Sequence, residues 1–119
     1  MLSVESLDGW PVLRLSGNLV QGPPSDSLTT AVQELITQGQ VSMICKVEEV
    51  ESIDSTGMGV LVAARKAAQR AGGRLVLCQP SKRLRAVLTT THLMGLFDIA
   101  DDEAAALEML KRPLFGTSS

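Results

Sequence analysis

The stretch from Val41 to Cys78 constrains the fold more than any other. "VSMICKV" and "RLVLC" are short apolar runs of strand character. Between them, "GMGVLVAARKAAQRAGG" repeats apolar residues at helical spacing and is stopped by Gly72-Gly73. Two strands joined by a single helix run parallel, because the helix carries the chain back to the starting edge of the sheet. The chain therefore contains at least one β-α-β unit. Its helix is rich in alanine (Ala63, Ala64, Ala67, Ala68, Ala71), which predicts a small-residue stripe toward the core, with Arg65, Lys66, Gln69 and Arg70 on a solvated back.

The flanking segments extend this unit. "LSVES" and "WPVLRLSG" around Leu7-Asp8-Gly9 predict a hairpin, hence an antiparallel N-terminal edge. Gly22-Pro23-Pro24-Ser25 reads as a break, after which "SDSLTTAVQELITQG" places Leu28, Val32, Leu35 and Ile36 on one helical face and ends at Gly39. "PSKRLRAVLTTTHLMG" predicts a helix capped by Ser81, "LFDIA" a brief strand, and "DDEAAALEML" a last helix with acids in its first turn and Lys111-Arg112 at its end. The expected fold is α/β: a small mixed, mostly parallel β-sheet of four to five strands with an antiparallel N-terminal edge, packed against about four helices. Residues 1–112 form one expected domain, and 113–119 a flexible C-terminal tail.

Composition removes several functional classes. Aromatic residues make up 3% of the 119-residue chain and the net charge is −2, so nucleobase stacking and a basic phosphate-binding footprint are both missing. Lys82, Arg83 and Arg85 are the one local basic cluster and read as a solvated helix face. No apolar stretch reaches the roughly 18 residues that span a bilayer, and "MLSVESLDGW" lacks the pattern of a signal segment. A cytoplasmic location without membrane insertion is expected. Cys45 and Cys78 lie inside apolar runs and are expected as buried free thiols. His92 is the lone histidine, too little for a histidine-based metal site, and no cofactor is expected. Met43, Met58, Met94 and Met109 read as gap-filling residues, and Leu93, Met94, Leu96 and Phe97 as candidates for a homodimer surface.

Potential chemistry concentrates in "SIDSTGMGVLV", Ser52 to Val62. Gly57 follows Asp54 one residue too late for an aspartic-protease motif; the glycines match neither a dinucleotide fingerprint nor a phosphate loop with its lysine. No G-x-S-x-G elbow surrounds Ser55. Two readings remain open. Asp54, Ser55 and Thr56 can simply cap the helix. Alternatively, a hydroxyl displayed at a helix N-terminus can accept a phosphoryl group, whose added charge the helix dipole tolerates while a docking surface is changed.

"VLRLSGNL", "VEEVESIDSTGMGVLVAARKAAQRAGGRLVLCQPS" and "RAVLTTTHLMGLFDIADDEAAAL" together resemble the STAS domains, and among them the stand-alone anti-sigma-factor antagonists of bacterial partner-switching systems. The resemblance covers roughly residues 1 to 110. It implies a non-catalytic regulator that binds an anti-sigma-factor serine kinase, releases a sigma factor, and is reset by a phosphatase. On the D-S-x-G-x-G pattern it implies Ser55 as phosphoacceptor, with Thr56 less favoured, and Asp54 as the acid facing the kinase. Asn18, Asp54, Ser55, Thr56, Gly57, Met58 and Gly59 are the partner-binding positions it implies. Two positions depart from the family pattern: Val20 stands where the second strand is usually followed by an acid, and Lys46 where the third strand usually ends in one. Both are expected to remove negative charge from the kinase-facing surface. The alternative is a STAS-like docking subunit of a larger complex, such as a lipid-transport ATPase or a stress-sensing scaffold, without phosphoswitching.

Overall fold

The hairpin forms at Asp8-Gly9, whose φ angles of 51° and 83° give the left-handed pair that matches the twist of flanking strands. It joins β1 (Leu2–Leu7) to β2 (Trp10–Leu19) in antiparallel register, with Leu7 opposite Trp10. The computed structural model describes residues 1–112. The expected flexible tail, residues 113–119, lies outside the described residues.

After β2 the chain continues through α1 (Pro23–Thr37), β3 (Met43–Ile53), α2 (Ser55–Arg70), β4 (Leu75–Cys78), α3 (Lys82–Thr90), a 3-10 turn at Met94–Leu96, β5 (Asp98–Ala100) and α4 (Glu103–Lys111). The sheet order is β1-β2-β3-β4-β5, antiparallel only between β1 and β2. This is the mixed, mostly parallel sheet with four helices read from the sequence.

Several boundaries differ for identifiable reasons. Pro23 and Pro24 do not break the chain but open α1, because an N–H at the first helical positions has no intrahelical acceptor, so proline loses nothing there and its fixed φ suits them. β3 is 11 residues long, well beyond "VSMICKV", and runs through the polar "EEVESI". Register shifts against β2, between Arg14 and Ser16 and between Gly17 and Asn18, insert extra β3 residues and disturb the alternation a strand reader looks for. β4 pairs with β3 only as far as Lys46. Beyond that point Ser81 replaces it: its N–H donates to the Val47 carbonyl (3.1 Å) and its hydroxyl to the Val50 carbonyl (2.8 Å). Ser81 also caps α3 as expected, accepting from the Leu84 N–H. α3 stops at Thr90 rather than running to Gly95, since His92 turns left-handed (φ 61°) and the Leu93 N–H closes back on the Leu88 carbonyl.

Strand alternation divides the sheet into two faces. Leu13, Leu15, Met43, Cys45, Val47, Leu75 and Leu77 face α1, α2 and α3 in the larger core. Val12, Ile44, Val76, Cys78 and Ala100 face α4, through Ala106 and Leu110. The alanine stripe of α2 is narrower than expected: Ala64 and Ala68 are buried and Ala67 half-buried, while Ala63 and Ala71 are exposed because they lie beside the charged back of the helix. Phe97 is buried and Leu93, Met94 and Leu96 pack against the main core. Arg85 pairs with Asp101 (3.2 Å), leaving Lys82 and Arg83 exposed.

Lys46 follows the same alternation. Its neighbour Cys45 enters the main core, so the lysine turns to the α4 face, where it is 9% exposed and its ammonium meets Glu103 at 2.7 Å. Removing one charge of such a pair leaves the other without its partner; removing the charge while keeping the aliphatic stem is tolerated better. Lys46→Asp is expected to lower stability by at least about 2 kcal/mol, Lys46→Met by about 1 kcal/mol or less, and Glu103→Lys to rescue Lys46→Asp. Urea-denaturation midpoints of wild type, the two Lys46 variants and the Lys46→Asp/Glu103→Lys double variant check this.

Cys45 and Cys78 are both buried free thiols. Burial pushes the Cys45 thiol up to about 12 and raises Cys78 as well, so the nucleophilic thiolate is scarce at neutral pH. Neither is expected to react with a thiol-specific reagent in the native protein, and both are expected to react in denaturant, as followed by mass spectrometry.

Candidate functional site

The candidate site is the junction between β3 and α2, placed beside the end of β2 by the parallel pairing of Leu19 with Ile53. Asp54 adopts an extended backbone and caps α2. One carboxylate oxygen, Oδ1, accepts the Gly57 N–H at 2.8 Å. The other, Oδ2, accepts the N–H of Gln21 at 3.0 Å, from the connection between β2 and α1. These two donors hold the Asp54 carboxyl below the ordinary aspartate value, the Gly57 N–H contributing most. Asp54 is thus an acid held in one orientation by a backbone donor on each oxygen, and it stays half-exposed at the surface.

Gly57 explains how closely α2 approaches. A Cβ at that position would lie 2.1 Å from the Leu19 carbonyl oxygen and 3.0 Å from Cγ1 of Ile53. Only glycine lets the first turn of α2 sit on the end of β2. Gly59, two residues further on, is exposed and a Cβ there meets nothing within 4 Å.

Ser55 and Thr56, the first residues of α2, are both exposed. Beyond the capping Asp54, which already takes the Gly57 N–H, the helix has no acidic residue in its first turn, and its dipole favours an added anion there. Asn18 is exposed next to this turn and accepts from the Ser52 hydroxyl at 2.7 Å, bridging β2 and β3. Glu48, Glu49 and Glu51 are exposed along the distal half of β3. Beside Asn18 a cleft of about 380 Å³ is lined by Leu2, Leu15, Leu19, Pro24 and Val50, among others.

Of the positions expected to meet a partner, Asn18, Ser55, Thr56 and Gly59 are at the surface. Gly57 and Met58 turn inward, Met58 being 7% exposed, because they lie on the α2 face that packs against the sheet. They set the position of the surface instead of forming it. Val20 lies in the β2–α1 connection close to the site, its carbonyl taking the Ser25 hydroxyl at 2.8 Å. Lys46 does not belong there: it faces α4, so it leaves the charge around Ser55 unchanged. Gln21 is the residue that sequence reasoning missed. Its part is played by a backbone N–H, which every non-proline residue carries, so side-chain chemistry gave no signal for it.

No helix among the described residues is long and apolar enough to cross a membrane, and no cluster of metal-ligating side chains occurs among them.

Comparison with known proteins places this geometry. A STAS domain model matches residues 1–106. A candidate anti-sigma factor antagonist of Thermotoga maritima is 32% identical over 79 residues, which cover 66% of this chain and 70% of the relative. The anti-sigma F factor antagonist of Paenibacillus polymyxa is 26% identical over 111 residues, 92% of this chain and 94% of that one. The crystal structure of a candidate anti-sigma factor antagonist from Thermotoga maritima superposes with a TM-score of 0.83 at 26% identity, covering 93% of this chain and 95% of that one.

The Gly57 contact and the open space at Gly59 generate opposite expectations. Gly57→Ala is expected to cost at least about 2 kcal/mol, since a backbone carbonyl has no rotamer with which to move aside. Gly59→Ala is expected to stabilise by up to about 1 kcal/mol, through helix propensity. Thermal melts of the two variants distinguish them.

Proposed function

The chain belongs to the STAS domain family, and on that basis we propose that it is an anti-sigma factor antagonist, switched by phosphorylation of Ser55. The unphosphorylated protein binds a kinase-type anti-sigma factor through the surface of Asn18, Ser55, Thr56 and Gly59, and the bound sigma factor is released. It acts in the cytoplasm, by binding and not by catalysis of its own. The observation that carries this reading is the placement of Ser55: an exposed hydroxyl at the first position of α2, on a turn held rigid by Asp54 and Gly57.

In the switching step the partner kinase supplies ATP. Ser55 Oγ attacks the γ-phosphorus, the Oγ–P bond forms as the bond to the β–γ bridging oxygen breaks, ADP leaves, and the hydroxyl proton passes to a base of the kinase. The product carries roughly −1.5 to −2 additional charge. That charge suits the N-terminus of α2, so the fold persists, but it adds to the ionised Asp54 and to exposed Glu51 and turns the docking surface strongly acidic. A phosphatase removes the group by hydrolysis and restores the binding form.

Val20 favours a second reading. An apolar residue beside the site, where the family usually carries an acid, suits a docking subunit whose binding is not phosphoswitched. The inward turn of Lys46 removes the other sequence feature that pointed the same way.

Incubation with the cognate anti-sigma kinase and ATP is expected to add one phosphoryl group, retained in Thr56→Ala and lost in Ser55→Ala, as read by intact mass. Ser55→Asp is expected to weaken binding to that kinase at least tenfold by calorimetry. Modification of Thr56 alone, or binding indifferent to Ser55→Asp, defeats the phosphoswitch and leaves the docking-subunit reading.

A further inference from the structure

Resting on the reading of Ser55 as the switched residue, we propose that Asp54 is a positioning residue coupling Ser55 to the β2–α1 connection: charge placed on Ser55 releases the Gln21 N–H and moves Val20–Gly22 within the partner-binding surface. The Asp54 carboxylate bridges two separate pieces of chain. Its bond to the Gly57 N–H is local, three residues along the helix it caps, whereas its bond to the Gln21 N–H reaches across 33 residues. Among the described residues, the other hydrogen bonds that hold Val20–Gly22 lie at its ends. The Leu19 carbonyl accepts the Asp54 N–H at 3.4 Å on one side, and on the other Ser25 and Asp26 bond the carbonyls of Val20 and Gly22.

A second anion on the adjacent residue changes this balance. The Asp54 carboxylate and the new group repel each other and compete for the same few N–H donors at the start of α2. The Gly57 bond is fixed by helix geometry. Gln21 is exposed, so water can satisfy its N–H once the carboxylate turns away, and this bond is the cheaper one to lose. The release occurs on the surface flanking Ser55, so a partner meets both an added charge and a displaced loop. Through this loop the switch extends beyond the modified side chain.

The test uses the isotope-labelled full chain and amide NMR, with hydrogen exchange, on wild type, Ser55→Ala, Ser55→Asp and Asp54→Asn. Ser55→Asp is expected to shift the Gln21 amide resonance and speed its exchange at least fivefold while the Gly57 amide stays protected. Asp54→Asn, whose single side-chain carbonyl serves the Gly57 cap, is expected to do the same, and Ser55→Ala to leave both amides as in wild type. A Gln21 amide in Ser55→Asp that matches wild type overturns the coupling, as does joint loss of protection at Gln21 and Gly57, which marks simple fraying of the helix. Affinity for the anti-sigma partner is measured alongside and is expected to fall at least tenfold in Asp54→Asn. A wild-type protein that binds no anti-sigma factor defeats the proposed function, and the exchange data still decide the coupling.

Discussion

The contact between the Leu19 carbonyl and the backbone of Gly57 is the constraint on which the candidate site depends. Parallel pairing brings the ends of β2 and β3 side by side, so the first turn of α2 has to pass over the last carbonyl of β2. Any side chain at Gly57 blocks that passage. With glycine there, the turn settles close enough for one carboxylate to reach both its own helix and the connection leading into α1. The exposed hydroxyl of Ser55 is therefore carried on a platform whose geometry is set from beneath.

The two faces of the sheet divide the work. Three helices cover the face that supports the site, and α4 alone covers the other. Lys46 belongs to that second face, where its ion pair with Glu103 links the middle of β3 to α4. Arg74 does the same from the start of β4, pairing with Asp98 at 3.5 Å and donating to the Met109 carbonyl. The charges of the α4 face thus hold layers together, while those at the distal end of β3, Glu48, Glu49 and Glu51, stay in solvent.

Much of this was legible in the chain. The Asp-Gly turn, the helical spacing of Leu28, Val32 and Leu35, the cap at Ser81 and the strand–helix–strand unit around α2 all depend on neighbours within a few residues, and each was found where its local pattern placed it. The misreadings share a cause. Pro23 and Pro24 look like a break unless the helix that follows is known to start on them, and the polar distal half of β3 does not read as a strand because its bulges break the alternation and its partner Ser81 comes from elsewhere in the chain. The family resemblance named candidate site residues, and the structure shows which of them are exposed and which are packed beneath the surface.

By itself the sequence determined the alternation of strands and helices, the hairpin, and the capped turn carrying Ser55, because periodicity, turn chemistry and capping act over short distances along the chain. Only the tertiary structure decided that Lys46 faces α4, that Met58 lies in the core, and that Asp54 is bound to the Gln21 N–H. A side chain's face is set by the register of neighbouring strands, and a backbone donor is distinguished from every other only by what the fold brings within reach of it.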